Sequence, residues 1–270
     1  MLIRNQAEYN LYIGLELVGT LRWQDDWHGK EHRHTFWEIL YIAQGVCDAF
    51  IGKDMTLHLK AGQAMLVQPM EGHWSKMVYG KATMIYIGFQ CEVEQGAWID
   101  RLPRGRFILE HVKDAEPFIS VMQKMAADTD IKSYSAQILQ GLVPIVQWMK
   151  QASTLDGGAA ASSRELLCMK AVKYIRCNME RFVSVEEIAA SLYVTPHYLG
   201  TTFASCMGTT LLKYQQSLKL DQASALIRAG SMTLSEISSS LGFSSLQYFS
   251  KCFKSYFGYP PSQQKKQKQG

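Results

Sequence analysis

The chain has 270 residues, is 47% hydrophobic and carries a formal net charge of +4, which suits two globular domains and excludes a disordered polyelectrolyte. The charge is divided: residues 164–270 hold 13 Lys and Arg against 6 Asp and Glu, whereas residues 1–163 hold 15 against 18. A polyanion partner is therefore expected only for the C-terminal part. No uncharged apolar run reaches the ~18 residues of a membrane span, the first ten residues lack a signal-peptide pattern, and the six cysteines form no C-x-x-C pair. These features predict a cytoplasmic protein with reduced thiols and no membrane partner.

Residues 11–90 have strand character. Short apolar or alternating runs at 36–43, 47–51, 56–59, 64–69 and 82–89 are punctuated by Gly45, Gly52, Gly62 and Gly80, the pattern of a β-sandwich or barrel. Within it, His32, His34, Phe36 and Glu38 share one face if the strand is regular, because even separations point the same way. With His73 from a neighbouring strand, three imidazoles and a carboxylate converge. Such a set suits a divalent transition metal, although no cofactor is required by the sequence, or the polar end of a small-molecule site. Trp27, Trp37, Tyr41, Phe50, Trp74 and Tyr86 are the aromatic wall candidates; alternation puts Trp37 and Tyr41 on the face opposite Glu38. Trp27 and Tyr86 join the four polar residues as the expected ligand-binding set.

From about Asp114 the spacing becomes helical, with Phe118, Val121, Met122 and Met125, then Ile138, Leu142, Ile145, Val146 and Met149. Two helices packed on the barrel are expected, the second kinked at Pro144. Met122, Met125, Leu139, Val143, Val146 and Trp148 exceed one buried stripe, so these helices are either a homodimer interface or wholly turned to the barrel. Residues 1–152 thus form a sensing and dimerisation domain. The stretch 153–163 (STLDGGAAASS) is a linker, and the last domain, 164–270, carries helical patterning from Arg164 to Phe257.

That last part repeats itself. Ile188, Leu192, Val194, Tyr198, Leu199, Phe203 and Gly208 recur as Ile237, Leu241, Phe243, Tyr248, Phe249, Phe253 and Gly258, with one extra residue in the second turn. Ser184 with Glu187, and Thr233 with Glu236, spell a capping box before each copy. Each copy reads as a short helix, a tight turn and a longer helix: two helix-turn-helix motifs that enter major grooves of double-stranded DNA. In the first, Thr195 caps a helix with Pro196 at its first position, and His197, Thr201 and Ser205 face outward. In the second, Leu246, Gln247, Ser250, Lys251 and Lys254 face outward; Gln pairs with adenine edges, and Lys with guanine or phosphate. A helix from Leu211 to Ile227, with Leu218, Ala223 and Leu226 as core stripe, connects the two.

Residues 169–262 resemble the DNA-binding domain of the AraC/XylS family of bacterial transcription regulators, most specifically in GFSSLQYFSKCFKSYFGYPP. The resemblance implies a ligand-responsive regulator, not an enzyme, that binds a small-molecule effector and acts with RNA polymerase. Three positions depart from the family. Basic residues are missing from the first recognition helix, where Gly200, Thr201, Thr202 and Ala204 stand; Lys219 replaces a common Arg; and Gln264 replaces an aromatic. The N-terminal part resembles the cupin-like barrel of many such regulators, through His32, His34, Glu38, Gly45, Gly62, Pro69 and His73. The overall expectation is an α+β two-domain protein: a cupin-like β-barrel with packed helices, then an all-α domain with two helix-turn-helix motifs. A metal-dependent cupin enzyme with an appended DNA-binding domain is the alternative.

Overall fold

The computed structural model describes residues 2–4, 10–24, 28–52, 55–78, 80–93, 112, 114–128, 131–155 and 162–266. The chain divides into two compact units, residues 1–161 and 162–270.

The first unit is built on two antiparallel sheets. Strands β1 (Leu2–Arg4), β2 (Asn10–Gln24), β3 (Trp37–Gln44), β6 (Ala64–Val67) and β8 (Lys81–Val93) form one sheet in the order β1-β2-β8-β3-β6. Strands β4 (Val46–Ile51), β5 (Met55–Lys60) and β7 (His73–Met77) form the other in the order β5-β4-β7. Every apolar run named from the sequence is a strand. The long β2 and the short β7 were not singled out, because β7 (HWSKM) lacks an apolar run.

β3 is buried on both faces, and so it reads as an almost continuous apolar run. Its two faces join different cores. Leu40 and Ile42 pack between the sheets with Cys47, Ala49, Ile51, Leu59, Met65, Val67 and Met84. Trp37, Ile39 and Tyr41 instead meet helices α1 (Glu116–Ala127) and α2 (Ser135–Leu155), through Phe118, Met122, Met125, Ile138, Leu142 and Ile145. Trp37 and Tyr41 are therefore on the face opposite Glu38, as alternation requires. Helix α2 runs on through Pro144.

Part of the apolar surplus on these helices is buried within the unit. Met122, Met125 and Val146 are buried in the same core, and Leu139, Val143 and Trp148 pack half-buried against it. The two ends of the expected linker are also helical, since α2 extends to Leu155 and α3 begins at Ser163; residues 156–161 lie outside the described residues.

The second unit contains α3 (Ser163–Arg176), α4 (Val185–Ser191), α5 (Pro196–Met207), α6 (Leu211–Ala229), α7 (Leu234–Ser240), α8 (Leu246–Phe257) and α9 (Pro261–Lys266). α4–α5 and α7–α8 are the two helix-turn-helix motifs. Helices α5 and α8 each end at a left-handed glycine, Gly208 and Gly258. The buried stripe of α6 is Leu220, Ala223 and Ile227 rather than Leu218, Ala223 and Leu226; Leu218 and Leu226 are only half-buried. The stripe is shifted because α6 packs on both motifs and also buries Gln215, Lys219 and Ser224.

The two capping boxes differ. Thr233 and Glu236 satisfy each other's backbone donors in full. At Ser184 only half of the box forms: its Oγ accepts from Glu187 N at 3.1 Å. The Glu187 carboxylate is drawn away by Arg181 Nη1 (2.8 Å) and Tyr174 Oη (2.9 Å). A complete box that the sequence reading missed, Ser162 with Glu165, starts α3. The turns differ as well. Gly242 adopts φ +71°, and a Cβ there would lie 2.5 Å from Glu180 O, so only glycine fits. The equivalent residue of the first motif, Tyr193, holds φ +56° and is 97% exposed, a strained position for a bulky side chain.

Candidate effector cavity and nucleic-acid interface

The polar cluster of the first unit assembles by a route different from the expected one. Residues 32–36 are not a regular strand; β3 starts only at Trp37. His32 instead pairs with His73 as an isolated antiparallel bridge, with His32 N donating to His73 O (3.1 Å) and His73 N to His32 O (3.0 Å). This sets the two rings 4.3 Å apart between centroids. The chain then turns inward, and His34 stacks on Phe36 at 4.1 Å, nearly parallel. Glu38 projects from the inner face of β3, and its Oε2 lies 3.2 Å from His34 Nε2 and 3.0 Å from His73 Nε2. The four residues thus converge, while Phe36 supports His34.

Electrostatics follow from this burial. Burial alone would raise the Glu38 carboxyl, but hydrogen bonds from His34 and His73 outweigh it and hold it at about 2. Burial pulls His73 down, yet the Glu38 contact prevails and leaves it raised. His32 is lowered, first by burial and then by the neighbouring charge of His73.

A cavity of about 280 Å3 opens beside the cluster. His32, Glu38 and His73 form its polar end; Leu17, Leu21, Leu40 and Met84 supply apolar wall, and Lys30, Trp74 and Tyr86 also line it. Of the expected aromatic walls, Trp74 and Tyr86 are present. Phe50 stacks on Trp74 (3.8 Å) without lining the cavity, and Trp27 lies outside the described residues. Tyr86 owes its place to Gly19, its cross-strand partner on β2: a Cβ on Gly19 would sit 1.9 Å from Tyr86 Oη. Leu17, Leu21 and Lys30 were missed because β2 and the 28–32 segment carry no motif of their own.

In the second unit His197, Thr201 and Ser205 are exposed on α5. The Thr201 hydroxyl is turned back onto His197 O at 2.9 Å. On α8, Leu246, Gln247, Lys251 and Lys254 are exposed and Ser250 is half-buried, opposite Phe249 and Phe253 in the core. α5 has no Lys or Arg, whereas α8 has two Lys. The connector holds both motifs through polar locks that periodicity did not reveal. Gln215 accepts from Val183 N (2.8 Å) and donates to Val183 O (3.0 Å), at the approach to α4. Lys219, fully buried, donates to Met179 O and to Leu241 O (2.9 Å), with its ammonium 4.7 Å from the Phe182 ring centroid. Gln264, where the resemblance led one to expect an aromatic, donates to Ser224 Oγ at 2.8 Å and fastens α9 to α6.

A β-rich unit with a lined cavity, joined in one chain to tandem helix-turn-helix motifs, defines a ligand-binding transcription regulator. The chain matches the family described as an AraC-like ligand binding domain over residues 18–153, and a helix-turn-helix domain family over residues 188–267. It belongs to the AraC family of transcriptional regulators. Among its relatives, the uncharacterised regulator YfiF of Bacillus subtilis is 24% identical over 249 residues, covering 85% of this chain and 76% of the relative. The lactose operon transcription activator of Staphylococcus xylosus is 22% identical over 263 residues, covering 94% and 88%. The fold is that of ToxT from Vibrio cholerae, solved with an unsaturated fatty acid bound; the TM-score is 0.52 at 15% identity, covering 97% of this chain and 96% of ToxT. The relatives are transcription regulators. No helix among the described residues is long and apolar enough to cross a membrane.

Proposed function

We propose that the effector is a small amphiphile seated in the β-unit cavity, its polar head at His32, Glu38 and His73 and its apolar body against Leu17, Leu21, Leu40 and Met84. The observation that carries this is a cavity of ligand size lined both by the clustered His32, Glu38 and His73 and by apolar side chains. ToxT, solved with an unsaturated fatty acid bound, has the same fold. The effector acts by binding one arrangement of the chain more tightly than another. The protein works in the cytoplasm, as a homodimer that contacts RNA polymerase, and performs no catalytic step.

On the DNA, Gln247, Lys251 and Lys254 of α8, with Leu246 and Ser250, are the main readers. His197, Thr201 and Ser205 of the uncharged α5 make the weaker contribution. Selection of duplexes from a random pool tests this. Wild type should enrich a site with repeated half-sites that the Gln247→Ala/Lys251→Ala variant does not. Enrichment of the same site by both proteins would remove α8 as the reader.

A further inference from the structure

Two free thiols of the second unit meet across the pair of helices α3 and α5. Cys168 of α3 is fully buried, and Cys206, in the last turn of α5, is half-buried. The inner stripe of α5 is Leu199, Thr202 and Phe203, and Cys206 continues it at i+4 from Thr202 and i+3 from Phe203. The Cys168 side chain is aimed at that stripe, its Sγ 4.0 Å from Thr202 O. In an α-helix the carbonyl of Thr202 accepts from the amide of Cys206, so the Cys168 sulfur sits beside the turn that carries the second thiol. The two thiols interact directly.

Their surroundings give the two sulfurs different parts. Burial, and after it the neighbouring Cys206, pushes the Cys168 thiol up to about 12, so at neutral pH it stays protonated and inert toward oxidants in solution. Cys206 is open to solvent in part and is the sulfur that an oxidant reaches first. We propose that Cys168 and Cys206 are a reversible peroxide-sensing dithiol whose disulfide pins α5 to α3. The Cys206 sulfur takes one oxygen from a hydroperoxide, ROOH, and becomes a sulfenic acid as ROH leaves. The Cys168 sulfur then attacks Cys206 Sγ; the S–O bond breaks, and the hydroxyl leaves with the Cys168 proton as water. The pair loses two electrons and the hydroperoxide gains them. Contact between the thiols stands in for a bimolecular encounter, which offsets the small thiolate fraction of Cys168. Bonded sulfurs are ~2.05 Å apart, whereas non-bonded heavy atoms in contact stand ~3.5–4 Å apart, so closure draws the end of α5 toward α3 by about 1.5–2 Å. Thr201 and Ser205, exposed on α5, move with it and retreat from the duplex. That consequence rests on the reading that α5 enters a groove; the disulfide does not.

The test is peptide mapping of full-length protein, reduced, desalted, treated with hydrogen peroxide, blocked with iodoacetamide and digested without reductant. Trypsin places Cys168, Cys177 and Cys206 on three separate peptides. The expected product joins the Cys168 and Cys206 peptides, is two hydrogens lighter than their sum, and is abolished by dithiothreitol. Cys206→Ser should lose this product and Cys177→Ser should keep it, both with unchanged far-UV circular dichroism. The oxidised chain should lose affinity for the selected duplex, and dithiothreitol should restore it. Cys206 recovered as a sulfinic acid without a link, or linked instead to Cys177 or to a second chain, would overturn the proposal. A cross-linked chain with undiminished duplex affinity would overturn the switch. Failure of the reduced wild type to select any duplex would count against the DNA reading, while the peptide map still decides the disulfide.

Discussion

Replacing Lys219 with methionine removes a buried ammonium that ties both helix-turn-helix motifs to the connector, and its cost can be worked from the contacts. Met179 O and Leu241 O lose their donor. A buried acceptor left unpaired costs ~1–3 kcal/mol, so two cost about 4 kcal/mol, and the lost contact with the Phe182 ring adds ~1 kcal/mol. Against this, burial pushes Lys219 from 10.5 down to about 8, so holding it charged at neutral pH costs ~3 kcal/mol that the variant recovers. The net loss is about 2 kcal/mol, or ~1–2 M in urea midpoint for a unit of this size. All six tryptophans lie at or before Trp148, so indole fluorescence follows the β unit alone. Helical circular dichroism of the full-length chain is the appropriate signal for the C-terminal unit. Lys219→Arg, which keeps donors for both carbonyls, should retain most of the stability. A Lys219→Met variant as stable as wild type, or more stable, would refute the argument, because the ammonium would then be worth no more than its own desolvation.

Four further outcomes are expected. Glu187 is held at about 2, first by Arg181 and then by Tyr174, below its unfolded value of 4.5. Its contribution is therefore present above pH 4.5 and fades as pH falls toward 2; the urea-midpoint gap between wild type and Glu187→Gln should be constant above pH 5.5 and shrink below 4.5, and a pH-independent gap would contradict this. Tyr193→Gly should stabilise the C-terminal unit by up to ~1 kcal/mol in urea melts, since relief of left-handed strain exceeds glycine's entropic cost; Gly242→Ala should destabilise it through both φ and the clash with Glu180 O. Removing Lys251 and Lys254 together should flatten the slope of log K against log salt by about 1.8, so that wild type loses ~12-fold more affinity than the variant across a fourfold rise in salt. An unchanged slope would place both lysines off the phosphates.

The sequence by itself determined the helix-turn-helix repeat, because its signals are local. Caps at Thr195 and Thr233, Pro196 at a helix start, and Gly208 and Gly258 at helix ends each act within a few residues of chain. The strands between 36 and 89 were legible for the same reason: their runs are short and bounded by turn glycines. Even the members of the polar cluster could be named, although regular alternation was the wrong reason for their meeting. Only the tertiary structure decided that His32 reaches the cluster by bridging to His73, 41 positions away in number. Only it decided that Glu187 leaves its capping box for Arg181, and that Met122, Met125 and Val146 are buried inside one unit. It also decided that a lysine and a glutamine of the connector are buried as locks. Periodicity assigns polar residues to solvent, whereas Gln215 and Lys219 face carbonyls and amides that other elements leave unpaired. Partners of that kind come from packing between segments distant in the chain, and no local pattern encodes them.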